Sequence, residues 1–128
     1  MTLELLNDDY TIYKFKPEYI VNKNISSEEF FSATKTKDEL SIVARENLFN
    51  DFINAETGWK ILKISGTLDF NLVGILSRIS AVLAGTHISV FVVSTFNTDY
   101  IMVKKEKIKD AVNVLVDNGY EVKADGSY

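Results

Sequence analysis

From Trp59 onward the apolar residues change their spacing element by element, and that changing period constrains the fold more than any other feature of the chain. In "WKILKISG" Ile61 and Lys63 fall on one side and Leu62 and Ile64 on the other, the alternation of a strand. In "FNLVGILSRISAVLAG" Leu72, Ile75, Leu76, Ile79, Val82 and Leu83 recur at helical spacing. Asp69 and Asn71 are candidate caps of that helix, and Gly85 stands where a left-handed residue would end it. Gly74, set amid Leu72, Val73, Ile75 and Leu76, reads as a packing glycine that lets another backbone approach. "HISVFVVSTF" is apolar on both faces, as in an interior strand buried by helices or by a second subunit, and "YIMVK" follows after a short polar tip to make a hairpin. "EKIKDAVNVLVDNGYEVK" then places Ile108, Ala111, Val112, Leu115 and Val116 on one helical face, stops at Asn118-Gly119 and ends in a short strand.

The resulting order, β-α-β-β-α-β, is the ferredoxin-like arrangement of an α+β protein. Up to about Glu56 the pattern differs: "DYTIYKFKP", "EFFSATKTK" and "ELSIVARE" read as strands and "ENLFNDFIN" as one short helical piece. This half has the outline of a reduced copy of the second, so residues 1–56 and 57–128 are expected to form two units in tandem. Pro17 is the only proline and no Gly/Ser-rich linker separates the halves, which predicts units packed on each other.

Composition removes several functional classes. The 18 acidic against 14 basic residues give a net charge of -4 without an Arg-rich block, which argues against nucleic acid as a partner. With no cysteine there is no disulfide, thiolate metal site or Cys nucleophile. No stretch approaches the length of a membrane span and "MTLELLNDDYTIYKF" lacks the order of a signal peptide, so a cytoplasmic protein is expected. His87 is the sole histidine, in a short "GTH" connection, and its plain role is that of a loop or strand-end residue. It has no nucleophile motif beside it and no metal-ligand spacing around it; no enzyme, metal or cofactor is expected.

Two polar stretches remain. "GTLDFNLVG" joins a strand to a helix but lacks the third glycine of a dinucleotide fingerprint and the Gly-Lys-Ser/Thr of a P-loop. Its free N–H groups and the positive end of a helix suit a small anion such as a carboxylate, or it is a plain turn with a capping side chain. "STFNTDY" crowds Thr95, Thr98 and Asp99 around a hairpin tip for which Asn97 alone would serve. Asp99 can receive an ammonium and the threonines can add hydroxyl bonds, so the two stretches together would suit a zwitterion; otherwise the tip is solvated loop.

These residues resemble the ACT domain family, and more narrowly small tandem-ACT proteins like the regulatory ACT pair of aspartate kinase and the CASTOR-type amino-acid sensors. Family members carry a Gly-x-Leu-Asp-Phe loop before a Gly-Ile-Leu helix, here Gly66, Leu68, Asp69 and Phe70, then Gly74, Ile75 and Leu76. They also carry a Ser-Thr-Tyr/Phe-x-Thr-Asp-Tyr segment, here Ser94, Thr95, Phe96, Thr98, Asp99 and Tyr100. The resemblance covers about residues 60–122; the N-terminal half agrees in length and strand order with a degenerate first ACT unit. It implies a non-catalytic regulatory module that binds a small amino acid at an ACT-ACT interface in a homodimer and acts on an unidentified enzyme. The ligand-binding residues it implies are Gly66, Leu68, Asp69, Thr95, Phe96, Thr98 and Asp99. The alternative is a dimerisation or partner-binding module without ligand.

Overall fold

A computed structural model describes residues 1–65 and 74–124. Its strands are β1 (Thr2–Leu5), β2 (Tyr10–Phe15), β3 (Ser32–Lys35), β4 (Leu40–Arg45), β5 (Asn54–Ile64), β6 (Val90–Ser94), β7 (Asp99–Lys104) and β8 (Glu121–Ala124). Helix α1 (Ile75–Ala84) precedes β6, and α2 (Ile108–Asp117) follows a single 3₁₀ turn at Lys105–Lys107. Contacts divide the chain into two compact units, Asp8–Gly58 on the one hand and Met1–Asn7 with the residues from Trp59 on the other.

In the second of these units β5, α1, β6, β7, α2 and β8 follow one another as the hydrophobic period predicts. The strands lie in the order β6-β7-β5-β1-β8. Strand β1 comes from the other end of the sequence and runs antiparallel to β5, Leu3 opposite Ile64, and parallel to β8, Leu3 opposite Val122. Its Leu3 and Leu5 join Leu62, Ile64, Ile101 and Val103 in a core that α1 covers with Ile75, Ile79 and Leu83, and α2 with Ile108, Ala111, Val112 and Leu115. Burying each of the valine, leucine and isoleucine side chains among them is worth about 1.5–3 kcal/mol. Four residues with two leucines reveal an alternation but not a partner, because pairing is settled by what fits beside β5 and β8.

Several local expectations are corrected. Gly85 is not the left-handed stop of α1; it is still right-handed, at φ −62°. The left-handed residue is His87, at φ 61°. Its N–H bonds to Ala84 O at 3.0 Å and that of Ile88 bonds back to Leu83 O at 3.0 Å, the paired bonds of a Schellman ending. Buried Ile88 and Leu83 supply the accompanying apolar contact. In α2 the expected Asn118-Gly119 stop is found, with Gly119 at φ 92° and Tyr120 N–H bonded to Leu115 O at 3.0 Å.

Gly74 is not a packing glycine either: it is exposed, a Cβ there would meet nothing within 4 Å, and φ of 86° is what favours glycine at this helix entry. Asp69 and Asn71, the candidate caps, lie outside the described residues. Within the single chain β6 does not take an interior place: among the described residues it pairs with β7 alone, and Phe91 stays 38% exposed.

In the unit Asp8–Gly58 the strand order is β3-β4-β2, all antiparallel. The helical piece expected in "ENLFNDFIN" is absent. Asn47 turns left-handed at φ 69°, which interrupts any helix, and Phe49 is instead buried with Tyr13 and Phe15, ring centroids 5.1 Å from each. Tyr19 stacks on Phe15 at 4.0 Å and donates its hydroxyl to Asp51 Oδ2 at 2.9 Å. Burial, then that hydrogen bond and the carboxylate's charge, raise the Tyr19 pKa above the ordinary tyrosine value.

Two outcomes are expected. Gly85→Ala, in a right-handed position, should raise stability by about 0.5–1 kcal/mol, and His87→Gly should raise it by about 1 kcal/mol by relieving the left-handed strain; urea unfolding checks both. The raised Tyr19 pKa means that the folded chain keeps a proton the unfolded chain releases. Its stability contribution is therefore complete below the ordinary tyrosine pKa and lost as pH rises through the folded value. The alkaline fall of the urea midpoint should be shallower in Tyr19→Phe.

Candidate functional site

Strands β6 and β7 pair in a register in which Ser94 faces Asp99, leaving Thr95 to Thr98 as the hairpin tip. Within the tip Thr95 N–H donates to Thr98 O at 2.9 Å, and the Thr95 hydroxyl donates to the same oxygen at 3.0 Å. Thr98 N–H in turn reaches Thr95 Oγ1 at 3.3 Å. The threonines thus brace a turn that also contains Asn97, a common turn former.

Thr98 also ties the tip to the next strand. Its side chain is buried, 2% exposed, and its hydroxyl donates to Ile64 O at 2.8 Å. Since Lys63 faces Tyr100 across β5 and β7, the tip lies beside the C-terminal end of β5, from which residues 66–73 continue. Gly66, Leu68 and Asp69 lie outside the described residues, so of the expected site only the hairpin side is placed. Thr95 is exposed, Phe96 fully so at 102%, and Asp99 is half-buried at the first position of β7.

On the far side of 66–73, α1 opens at Ile75 without an acidic residue in its first turn. The first-turn N–H groups of a helix have no intrahelical acceptor and carry the positive end of its dipole. Periodicity located Thr98 but did not disclose its bond to Ile64 O, which joins residues 34 positions apart.

The rest of the described surface offers less. In the other unit an open recess of about 140 Å³ is lined by Ile12, Tyr13, Glu39 and Asn54 among others, mixing Lys14 with Glu39 and Glu56; no sequence motif pointed to it. His87 is exposed and its distinguishing feature is backbone conformation. Among the described residues no group of three or more His, Asp or Glu could hold a metal, and no helix is long and apolar enough to cross a membrane.

A family model described as an ACT domain matches residues 54–117, and a second, describing an N-terminal domain, matches residues 8–50. The human protein named cytosolic arginine sensor for mTORC1 subunit 1 is 31% identical over 98 residues, covering 68% of this chain and 30% of that protein. Its mouse counterpart is 29% identical over 94 residues, covering 67% and 28%. The chain thus spans less than a third of the length of these curated relatives. Among solved structures, an Agrobacterium tumefaciens protein superposes with a TM-score of 0.88 at 27% identity, covering 99% of this chain and 95% of that one. Clostridium acetobutylicum aspartate kinase gives a TM-score of 0.62 at 11% identity, covering 87% of this chain and 33% of the kinase, a likeness of fold. With half of its residues matched by the family model, over the stretch that carries the β5-α1-β6-β7-α2 order, the chain belongs to the ACT domain family.

Proposed function

We propose that this protein is a non-catalytic, cytoplasmic regulatory module that binds a small amino acid beside the end of β5 and transmits its occupancy through an ACT-ACT interface of a homodimer to a separate enzyme. The observation that carries the reading is the bond from Thr98 Oγ1 to Ile64 O, which holds the hairpin tip against the strand end where the 66–73 connection departs. Asp99 is the acidic residue of the hairpin, at the start of β7, and receives the ligand's ammonium. Thr95, its hydroxyl bonded to Thr98 O, and the exposed Phe96 ring flank Asp99 at the tip, and Gly66, Leu68 and Asp69, outside the described residues, are the residues assigned to the ligand's carboxylate. The ACT match and the similarity to a protein named as an arginine sensor support amino acids as the ligand class.

A second reading, a dimerisation or partner-binding module without ligand, is favoured by the edge position of β6 and by the full exposure of Phe96. Calorimetry against the twenty amino acids singly, beginning with L-arginine, separates the two: no heat of binding from any of them would reject the sensor and leave the module.

Two substitutions are expected to part binding from stability. Asp99→Asn keeps the shape and removes the charge, so affinity should fall by about 1.5–3 kcal/mol, roughly ten- to a hundredfold, with the melting temperature little changed. Equal affinities in the titration would reject the role of Asp99. Thr98→Val removes the donor to Ile64 O and should cost about 1–3 kcal/mol in urea unfolding, because the tip loses its tie and a buried carbonyl its partner.

A further inference from the structure

The sheet of the unit Asp8–Gly58 keeps its aromatic core on one face only. Tyr13 and Phe15 of β2 and Leu40, Ile42 and Ala44 of β4 pack in the ring cluster, with Ala55 of β5 against them. Side chains alternate along a strand, so Ile12 and Lys14, Glu39 and Ser41, and Asn54 and Glu56 belong to the opposite face. These six, with Tyr13 and Ala55 between them, line the open recess of about 140 Å³.

Three of the six carry charge. Lys14 stands on the middle strand of β4-β2-β5, opposite Ser41 of β4, and its carbonyl accepts the N–H of Ile53 at the entry to β5 with a length of 2.8 Å. Glu39 therefore belongs to one flank of Lys14 and Glu56 to the other. None of the three forms an ion pair with another described residue. The backbone that carries them is fixed: Thr36 N–H donates to Glu39 O at 2.9 Å, Glu39 N–H donates to Thr36 Oγ1 at 3.2 Å, and Asn54 Oδ1 accepts Ala55 N–H at 2.9 Å. Half-buried Ile12 gives the hollow an apolar wall. A hollow whose shape is held by its own turns costs little to organise around a ligand.

We propose that this recess is a second small-molecule site, which takes a basic amino acid. One cation and two anions on the protein are the charge complement of one carboxylate and two cationic groups on the ligand. The α-carboxylate goes to Lys14, the α-ammonium and the side-chain cation go to Glu39 and Glu56, and the methylenes between them lie against Ile12. Ser41 adds a hydroxyl and Asn54 an amide as neutral hydrogen-bonding groups. Charges open to water attract weakly, so binding is in the millimolar range and selective by charge count more than by strength. The site shares no residue with the hairpin tip and does not rest on the reading of it.

The test is amide chemical-shift mapping of the isotope-labelled chain, titrated with L-lysine and with L-norleucine, which has the same carbon chain without the side-chain ammonium. L-lysine should shift the amides of residues 12–14, 39–41 and 54–56 along one saturating curve, in wild type and in Asp99→Asn alike. Norleucine should bind there at least about fivefold more weakly, and the double variant Glu39→Gln, Glu56→Gln should lose about tenfold in lysine affinity with its melting temperature unchanged. Shifts confined to the hairpin residues would overturn the second site and leave the proposed function standing. Shifts confined to the recess would support the second site and count against the hairpin reading. Norleucine binding as well as lysine, a double variant that binds lysine as wild type does, or no shift at the recess would each overturn the inference.

Discussion

Strand β5 is the constraint on which the larger unit depends. It is paired on both edges, with β7 through Trp59 to Lys63 and with β1 through Leu62 to Ile64, so each of its neighbours is positioned by its backbone ladder. Its even-numbered residues Leu62 and Ile64 join the core beneath α1 and α2, and that burial fixes the register: a slip of one residue would turn Lys63 inward. The candidate site is the outer end of the same strand. Ile64 O receives the Thr98 hydroxyl just where the ladder stops, so the packing that holds β5 also locates the tip.

The two helices solve one problem with different residues. Each ends by returning an N–H five residues back, Ile88 to Leu83 O and Tyr120 to Leu115 O, with a left-handed residue just before the returning one. After α2 that residue is Gly119, which adopts φ 92° without steric cost; after α1 it is His87, which pays for the same geometry in strain. The only histidine of the chain thus has a conformational role. Gly85, the residue whose identity suggested the stop, falls two residues too early to provide it.

At the hairpin tip, hydroxyl groups brace the turn around Asn97 and are largely consumed in doing so. The Thr95 hydroxyl donates to Thr98 O and accepts from Thr98 N–H, and the Thr98 hydroxyl holds the neighbouring strand. What is left to interact outward is the half-buried Asp99 and the exposed Phe96 ring.

Periodicity by itself determined the helices of Ile75–Ala84 and Ile108–Asp117, the β6-β7 hairpin and the β-α-β-β-α-β order, because a buried face imposes its spacing directly on the sequence. The "STFNTDY" segment likewise announced a turn with more polar groups than a turn needs. Tertiary structure decided where β1 belongs, since Leu3 and Leu5 would suit any apolar sheet face and only the gap between β5 and β8 selects them. It decided that Phe49 joins a cluster of rings instead of a helix, that β6 is an edge strand among the described residues, and that His87 rather than Gly85 is left-handed. Above all it decided which hydroxyls are spent and which is not: Thr98 and Ser65 are alike in sequence as small polar residues at strand ends, and only pairing across 34 positions gives one a partner and leaves the other without.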